Sequence, residues 1–114
     1  MNFKIKKIRS DKHRKFVASQ PCVVTGYQGD KGVPHHLLRC GDSRGVAMKV
    51  CDMWCVPLHH DIHMALHKNG NEVVFFANHG LTYETVMSAA IHYASISPDK
   101  RIREAMRLWE INNK

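Results

Sequence analysis

Short apolar runs, broken by glycine, proline and charged residues, characterise the first half of the chain. "CVVTGYQGDKG" predicts a short strand followed by a glycine-containing turn, and "VPHHLL" predicts a second extended segment. "CGDSRG" predicts a loop. "MKVCDMWCVPL" contains enough valine, tryptophan and cysteine to predict another strand, and Pro57 favours an edge position or an early end for it.

Helical signals flank these extended segments. Ser10 can cap a helix that runs to about Ser19 and is ended by Gln20-Pro21. A second helix is predicted over residues 59 to 68, where Ala65 and Leu66 favour helix and Asn69-Gly70 provides a stop.

The pattern beyond residue 70 is mostly helical. Residues 71–80 stay open, because valine and phenylalanine favour a strand whereas an asparagine start and a glycine finish suit a short helix. Thr82 can cap the next helix, and Ser97-Pro98-Asp99 is expected to open the last one with proline in its first position. An apolar stripe at helical spacing predicts that this last helix packs against the domain or a partner chain through Ile102, Ala105, Met106 and Trp109.

Composition fits a single domain. The 114 residues have a hydrophobic content of 44% and no run of 18 apolar residues, and the start lacks the apolar core of a signal peptide. We therefore expect a cytoplasmic protein in which the four cysteines are reduced or bind metal.

Charge is the more informative property. Lys and Arg outnumber Asp and Glu by 17 to 10, and most of the surplus lies in the first fifteen residues. Such a segment gains affinity for a polyanion by counterion release, which favours nucleic acid over a merely solvated tail. Few large apolar residues are present to insert into a membrane surface. The residues predicted to contact nucleic acid are Lys4, Lys6, Lys7, Arg9, Lys12, Arg14 and Lys15.

Four of the nine histidines form a chemically suggestive pattern. His63 and His67 are four residues apart in a predicted helix, so both side chains lie on one face and can hold one metal ion. His35 and His36 are neighbours in an extended segment and point to opposite sides of it. One of them can complete a three-histidine site, while the other stays free to move a proton.

This order of motifs resembles the HNH endonucleases, whose core is the ββα-metal finger. "RSDKHRKFVASQPCVVTGY", "PHHLLR", "KVCDMWCVPLHHDIHMALHKNGNEV" and "HG" are similar, in order and spacing, to phage and bacterial HNH proteins of the recombination-enhancement type. The resemblance implies an α+β fold with a ββα-metal core at about residues 22–69, and helices N-terminal and C-terminal to it, the latter at about residues 82–112. Residues 1–9 would then be a basic N-terminal arm and residues 10–114 a single nuclease domain.

The resemblance also implies roles for particular residues. His36 corresponds to the general base, Arg39 to a phosphate contact, and Asp52 to an acidic position that orients the strand or the base. One divalent ion is implied, magnesium or manganese in function, although three imidazoles also retain zinc or nickel. Its ligands would be His35, His63 and His67.

One family feature is missing from this sequence. Many members have a structural zinc site made by two pairs of ligands, whereas here the pairs read Cys22-Val-Val-Thr25 and His59-His-Asp-Ile62. Two of the four positions cannot bind zinc, so we expect that this site is lost. Cys51 and Cys55 are expected to be buried thiols in a small core.

The function expected is metal-dependent hydrolysis of DNA with low sequence specificity. The resemblance implies 5' phosphate and 3' hydroxyl ends as products, and the cytoplasm of a bacterial or phage-infected cell as the setting. Single-stranded DNA, recombination intermediates and a recombinase partner are compatible with it, and RNA remains open as a substrate. The main alternative is a non-catalytic, metal-stabilised nucleic-acid-binding module, which would not need a base beside the ligand. A toxin nuclease domain like those of the colicins is disfavoured because no delivery segment is attached.

Overall fold

The structure is a computed structural model that describes residues 8–38 and 51–113. Over these ranges the fold is mixed α+β, with five α-helices and a two-stranded antiparallel sheet. None of the helices in these ranges is long and apolar enough to cross a bilayer. The elements are α1 (Asp11–Ala18), β1 (Gly32–His36), a 3-10 turn (Asp52–Trp54), β2 (Cys55–His59), α2 (His60–Asn69), α3 (Glu72–Asn78), α4 (Tyr83–Ser95) and α5 (Lys100–Asn112).

Side-chain caps determine where four of the helices begin. Ser10, Asn71, Thr82 and Asp99 each accept a hydrogen bond from a backbone N–H two or three residues further on. The predictions of α1 and α4 are therefore confirmed. Residues 71–80, for which the sequence allowed either a strand or a helix, contain helix α3. The Asn71 side chain caps this helix by accepting the Val74 N–H, a group that in a strand would have to pair with the sheet.

The segment after Cys22 is not the strand expected from its valines. The Gly26 N–H donates to the Cys22 carbonyl, and the Cys22 N–H donates to the Tyr27 carbonyl, so the backbone closes into a turn. Only the Val23 N–H reaches the sheet, where it donates to the carbonyl of Pro57. The turn satisfies polar groups locally that a strand would have to pair with a neighbour.

Two further boundaries differ from expectation. β2 begins only at Cys55, after the 3-10 turn, and the residues before Cys51 in the predicted strand lie outside the described ranges. The last helix begins at Lys100 and not at Pro98, because the Asp99 side chain accepts the Arg101 N–H and so occupies the N-cap position.

β1 and β2 pair with Gly32 opposite His59 and His36 opposite Cys55. Pro34 lies opposite Pro57, so the two residues that lack an N–H share one position of the ladder. α1, α2 and α4 pack on the sheet, and the core between them includes Trp54, Leu58 and Phe76. This core holds β1 and α2 in a fixed relation.

The apolar stripe of α5, predicted to pack against the domain or a partner chain, packs against the domain. Ile102, Ala105 and Met106 are buried, and the ring of Trp109 meets the buried ring of Trp54 edge-on at a centroid distance of 4.8 Å. α5 thereby covers the 3-10 turn that precedes β2.

Candidate metal centre

β1 directs its two adjacent histidines to different partners. His35 is buried and contacts side chains of α2 and α3, whereas His36 is 30% exposed and contacts Asp52. The divergence follows from the twofold alternation of a strand and was predicted from the sequence.

α2 brings the second pair of histidines against His35. The Nε2 atoms of His63 and His67 lie 3.1 Å apart, and one nitrogen from each of the three residues lies within 4.8 Å of the others. Two nitrogen ligands of a tetrahedral zinc ion, each about 2.0 to 2.1 Å from it, would themselves be about 3.3 Å apart. We call His35, His63 and His67 the three-histidine cluster; its spacing suits one transition-metal ion.

The position of α2 follows from its two ends. It begins directly after β2, where the His59 ring accepts the Asp61 N–H as an N-cap. It ends at Gly70, whose φ of 79° lies in the left-handed region that glycine adopts without strain. With no loop between β2 and α2, the histidine face of the helix must lie close to the neighbouring strand β1.

One histidine of the cluster, His63, is unprotonated at neutral pH and can donate a lone pair to a metal ion. Burial, followed by the neighbouring imidazoles of His35 and His67, lowers the pKa of His63 to about 4. An unprotonated imidazole is the form that binds a metal ion. His63 is therefore an available ligand at neutral pH.

Glu72 is a site residue that the sequence did not reveal. Its side chain is 4% exposed, its Oε1 lies 3.0 Å from His35 Nε2, and its carboxylate accepts the Leu38 N–H at 3.1 Å. In the sequence it is an acidic residue after an asparagine, which indicates only a favourable first turn of a helix. Its contact with His35 depends on how α3 packs against β1, and no local pattern encodes that.

Asp52 is fully buried and organises the other side of β1. Its Oδ1 lies 2.7 Å from His36 Nε2 and accepts a hydrogen bond from Arg9 Nη1 at 3.0 Å. Its Oδ2 accepts the Ser10 N–H at 2.6 Å and pairs with Arg14. Burial acts to raise the pKa of Asp52, but the hydrogen bonds from His36 and Ser10 and the charge of Arg14 outweigh it and hold the pKa at about 2.

His36, Asp52 and Cys55 form a second group with ligand-type atoms within 4.8 Å. Two arginines already neutralise the Asp52 carboxylate, and burial strongly raises the pKa of the Cys55 thiol. A cation would have to displace the arginines and deprotonate this thiol, so the group suits an ionised carboxylate holding a histidine. Cys51 and Cys55 are buried, as expected.

The residues predicted to contact nucleic acid are distributed unevenly. Lys12 and Lys15 are exposed on α1. Arg9 is exposed and Arg14 partly exposed, and both pair with Asp52. Lys4, Lys6, Lys7 and Arg39 lie outside the described residues, as does the expected loop "CGDSRG".

A cleft of about 330 Å³ opens over the three-histidine cluster. His36 and Glu72 also line it, together with the apolar side chains of Pro34, Leu38 and Leu66. Both histidines of β1 therefore reach one cleft although their rings have different partners.

The fold and this cleft define a small α+β protein with a candidate three-histidine metal centre. A family model described as a protein of unknown function, DUF968, matches residues 2–95, and the chain belongs to this family. The matched range includes every residue of the cleft and Asp52, and it ends before α5. Searches of curated proteins and of solved structures gave no match.

Proposed function

We propose that this protein is a metal-dependent endonuclease of the HNH type, in which β1, β2 and α2 form a ββα-metal core. The observation that carries the proposal is the divergence of His35 and His36. One ring joins the histidines of α2, the other is held by a buried carboxylate, and both line one cleft. A metal ligand and a general base that face one cleft can together activate water and stabilise the charge that builds up in phosphodiester hydrolysis.

The three-histidine cluster supplies the ligand set. Three imidazoles leave coordination positions for water and a phosphate oxygen, which a catalytic site needs and a closed structural site lacks. The bound divalent ion would polarise a phosphoryl oxygen and stabilise the leaving 3' oxygen. Magnesium or manganese is the proposed ion in function, and zinc or nickel the ion that imidazoles bind more tightly.

His36 is the proposed general base, and Asp52 determines which of its nitrogens acts. The ionised carboxylate accepts an N–H from His36 Nε2, so the lone pair is on Nδ1, and this nitrogen takes the proton of the attacking water. The imidazolium formed in that step is stabilised by the charge of Asp52.

Arg9 and Arg14 bring positive charge next to the proposed base. Each pairs with Asp52 yet is accessible to solvent, with 41% of the Arg9 side chain and 30% of the Arg14 side chain exposed. Because a guanidinium has five donor hydrogens, each can contact a phosphate without leaving the carboxylate. Lys12 and Lys15 extend this positive surface along α1. We propose DNA as the substrate. Because contacts with phosphates carry no sequence information, we expect cleavage with low sequence specificity.

Nicking of supercoiled plasmid by metal-stripped protein, refilled with magnesium, manganese, nickel or zinc, tests this function. We expect metal-dependent nicking, and a loss of about 100-fold or more in rate for His36→Ala with metal binding retained. His63→Ala should lose metal binding and activity together. The matched control is His92→Ala, which removes an exposed imidazole from α4 and should leave the rate unchanged.

Two results would contradict the proposal in different ways. Protein that binds metal and shifts plasmid on a gel, but cuts under none of the four metals, is instead a non-catalytic nucleic-acid-binding module. Discrete fragments from a long random-sequence duplex at every enzyme concentration would contradict low specificity alone.

A further inference from the structure

We infer that Glu72 is a positioning residue for metal binding, joined to His35 in a carboxylate–histidine–metal arrangement. The inference rests on the metal centre of the proposed function, but it does not depend on catalysis. It assigns a role to a residue that sequence motifs do not single out.

The charge of Glu72 is buried and needs compensation. The side chain is 4% exposed, and within the described ranges the only side chain of basic type that pairs with it is His35. Buried carboxylates are normally compensated by a cation or a metal ion. An ion bound by the three-histidine cluster would place a divalent charge on the far side of the His35 ring and so supply this compensation.

Glu72 also determines which nitrogen of the His35 ring can bind an ion. Its Nε2 lies 3.0 Å from Glu72 Oε1, and an ionised carboxylate can only accept a hydrogen bond there. The hydrogen is then on Nε2 and the lone pair on Nδ1, which becomes the nitrogen that binds the ion. A carboxylate in this position fixes the ring orientation and makes the ligand more basic.

Glu72 also holds the elements of the metal centre together. It is the first residue of α3, and only Gly70 and Asn71 separate α3 from the helix that carries His63 and His67. Its carboxylate also accepts the N–H of Leu38, just beyond the end of β1. One side chain therefore fixes the strand that carries His35 relative to the helix pair.

The test compares the metal affinity of the full chain with that of two glutamine variants. Metal-free wild type, Glu72→Gln and Glu84→Gln are titrated with zinc against a competing chelator. Glu84 is the matched control, because it is also an acidic residue in the first turn of a helix but is exposed on α4. We expect the zinc dissociation constant to rise about 10- to 100-fold for Glu72→Gln and to be unchanged for Glu84→Gln.

A spectroscopic readout separates positioning from general destabilisation. The visible absorption of bound cobalt reports the ligand field, so the bands should shift in Glu72→Gln and not in Glu84→Gln. Glu72→Asp retains the charge and should bind zinc more tightly than Glu72→Gln. Equal losses in the two Glu72 variants, or wild-type affinity and an unchanged cobalt spectrum in Glu72→Gln, would overturn the inference.

The outcomes also distinguish this inference from the proposed function. A wild-type chain that binds no metal overturns both. A chain whose zinc affinity depends on Glu72 but which never cuts DNA supports the inference and overturns the nuclease activity.

Discussion

At the scale of single residues, Asp52 is the side chain that holds the proposed base and the arginines beside it. It joins His36, two arginines and the Ser10 N–H although none of these is near it in sequence, and Ser10 is 42 residues away. A buried carboxylate with so many donors remains ionised, so it both stabilises the fold and determines the tautomer of His36.

Replacing this charge should separate catalysis from metal binding. In Asp52→Asn the amide can donate to His36 Nε2 and favour the wrong tautomer, so we expect single-turnover cleavage to fall about 100-fold or more at unchanged metal affinity. Loss of the partner for Arg9 and Arg14 should lower the free energy of unfolding by about 2 to 4 kcal/mol. Asp61→Asn, an exposed first-turn change on α2, should leave both the cleavage rate and the free energy of unfolding unchanged. Unchanged cleavage by Asp52→Asn would remove Asp52 from the mechanism.

At the scale of secondary-structure elements, the sequence predicted those features that depend on contacts between residues close together in the chain. α1 and α4 start at capping side chains whose partners are three residues away, and the alternation of β1 separates His35 from His36. The expected strand at Cys22 was wrong because a turn satisfies its backbone groups instead of the sheet. The partner of Glu72 was not predicted, because it lies 37 residues away and is reached only when α3 packs on β1.

The junction between α1 and β1 gives a prediction at this scale. A Cβ atom on Gly32 would lie well inside contact distance of the Ala18 carbonyl oxygen at the end of α1. Since backbone must move to relieve this clash, Gly32→Ala should lower the free energy of unfolding by about 3 kcal/mol in urea titrations. Gly80→Ala is the control: its φ is 78° but the surrounding space is open, so it should cost about 1 kcal/mol. Equal costs at the two positions would show that α1 does not constrain the start of β1.

At the scale of the whole molecule, α1 is fastened to the C-terminal helices. Ser10 donates to Asp99 at 2.5 Å, Arg101 donates to the Arg9 carbonyl at 3.3 Å, and His13 Nδ1 lies 2.8 Å from Ser97 Oγ. The connection between α4 and α5 and the first turn of α5 thus support the segment that carries the arginines holding Asp52, although α4 and α5 line no part of the cleft. His13 lies within this contact. It is fully buried, and its Nε2 has no hydrogen-bond partner among the described residues.

This buried histidine should make the whole fold sensitive to acid. Burial, only partly opposed by the charges of Asp52 and Asp99, lowers the pKa of His13 from 6.5 to about 4. Above pH 6.5 the residue is neutral in both the folded and the unfolded chain, so its contribution is fully present. Between pH 6.5 and 4 the unfolded chain binds the proton and the folded chain does not, so stability should fall by about 2 to 3 kcal/mol.

Urea unfolding of metal-free protein between pH 7 and 4.5, compared with His13→Gln, measures this contribution. The low pKa of His63 lowers stability over the same range in both proteins, so their difference isolates His13. We expect His13→Gln to be less stable than wild type at pH 7, because it packs less well, but to lose less stability as the pH falls. Parallel pH profiles for the two proteins would mean that His13 does not titrate differently on folding, and that acid acts on this fold through other groups.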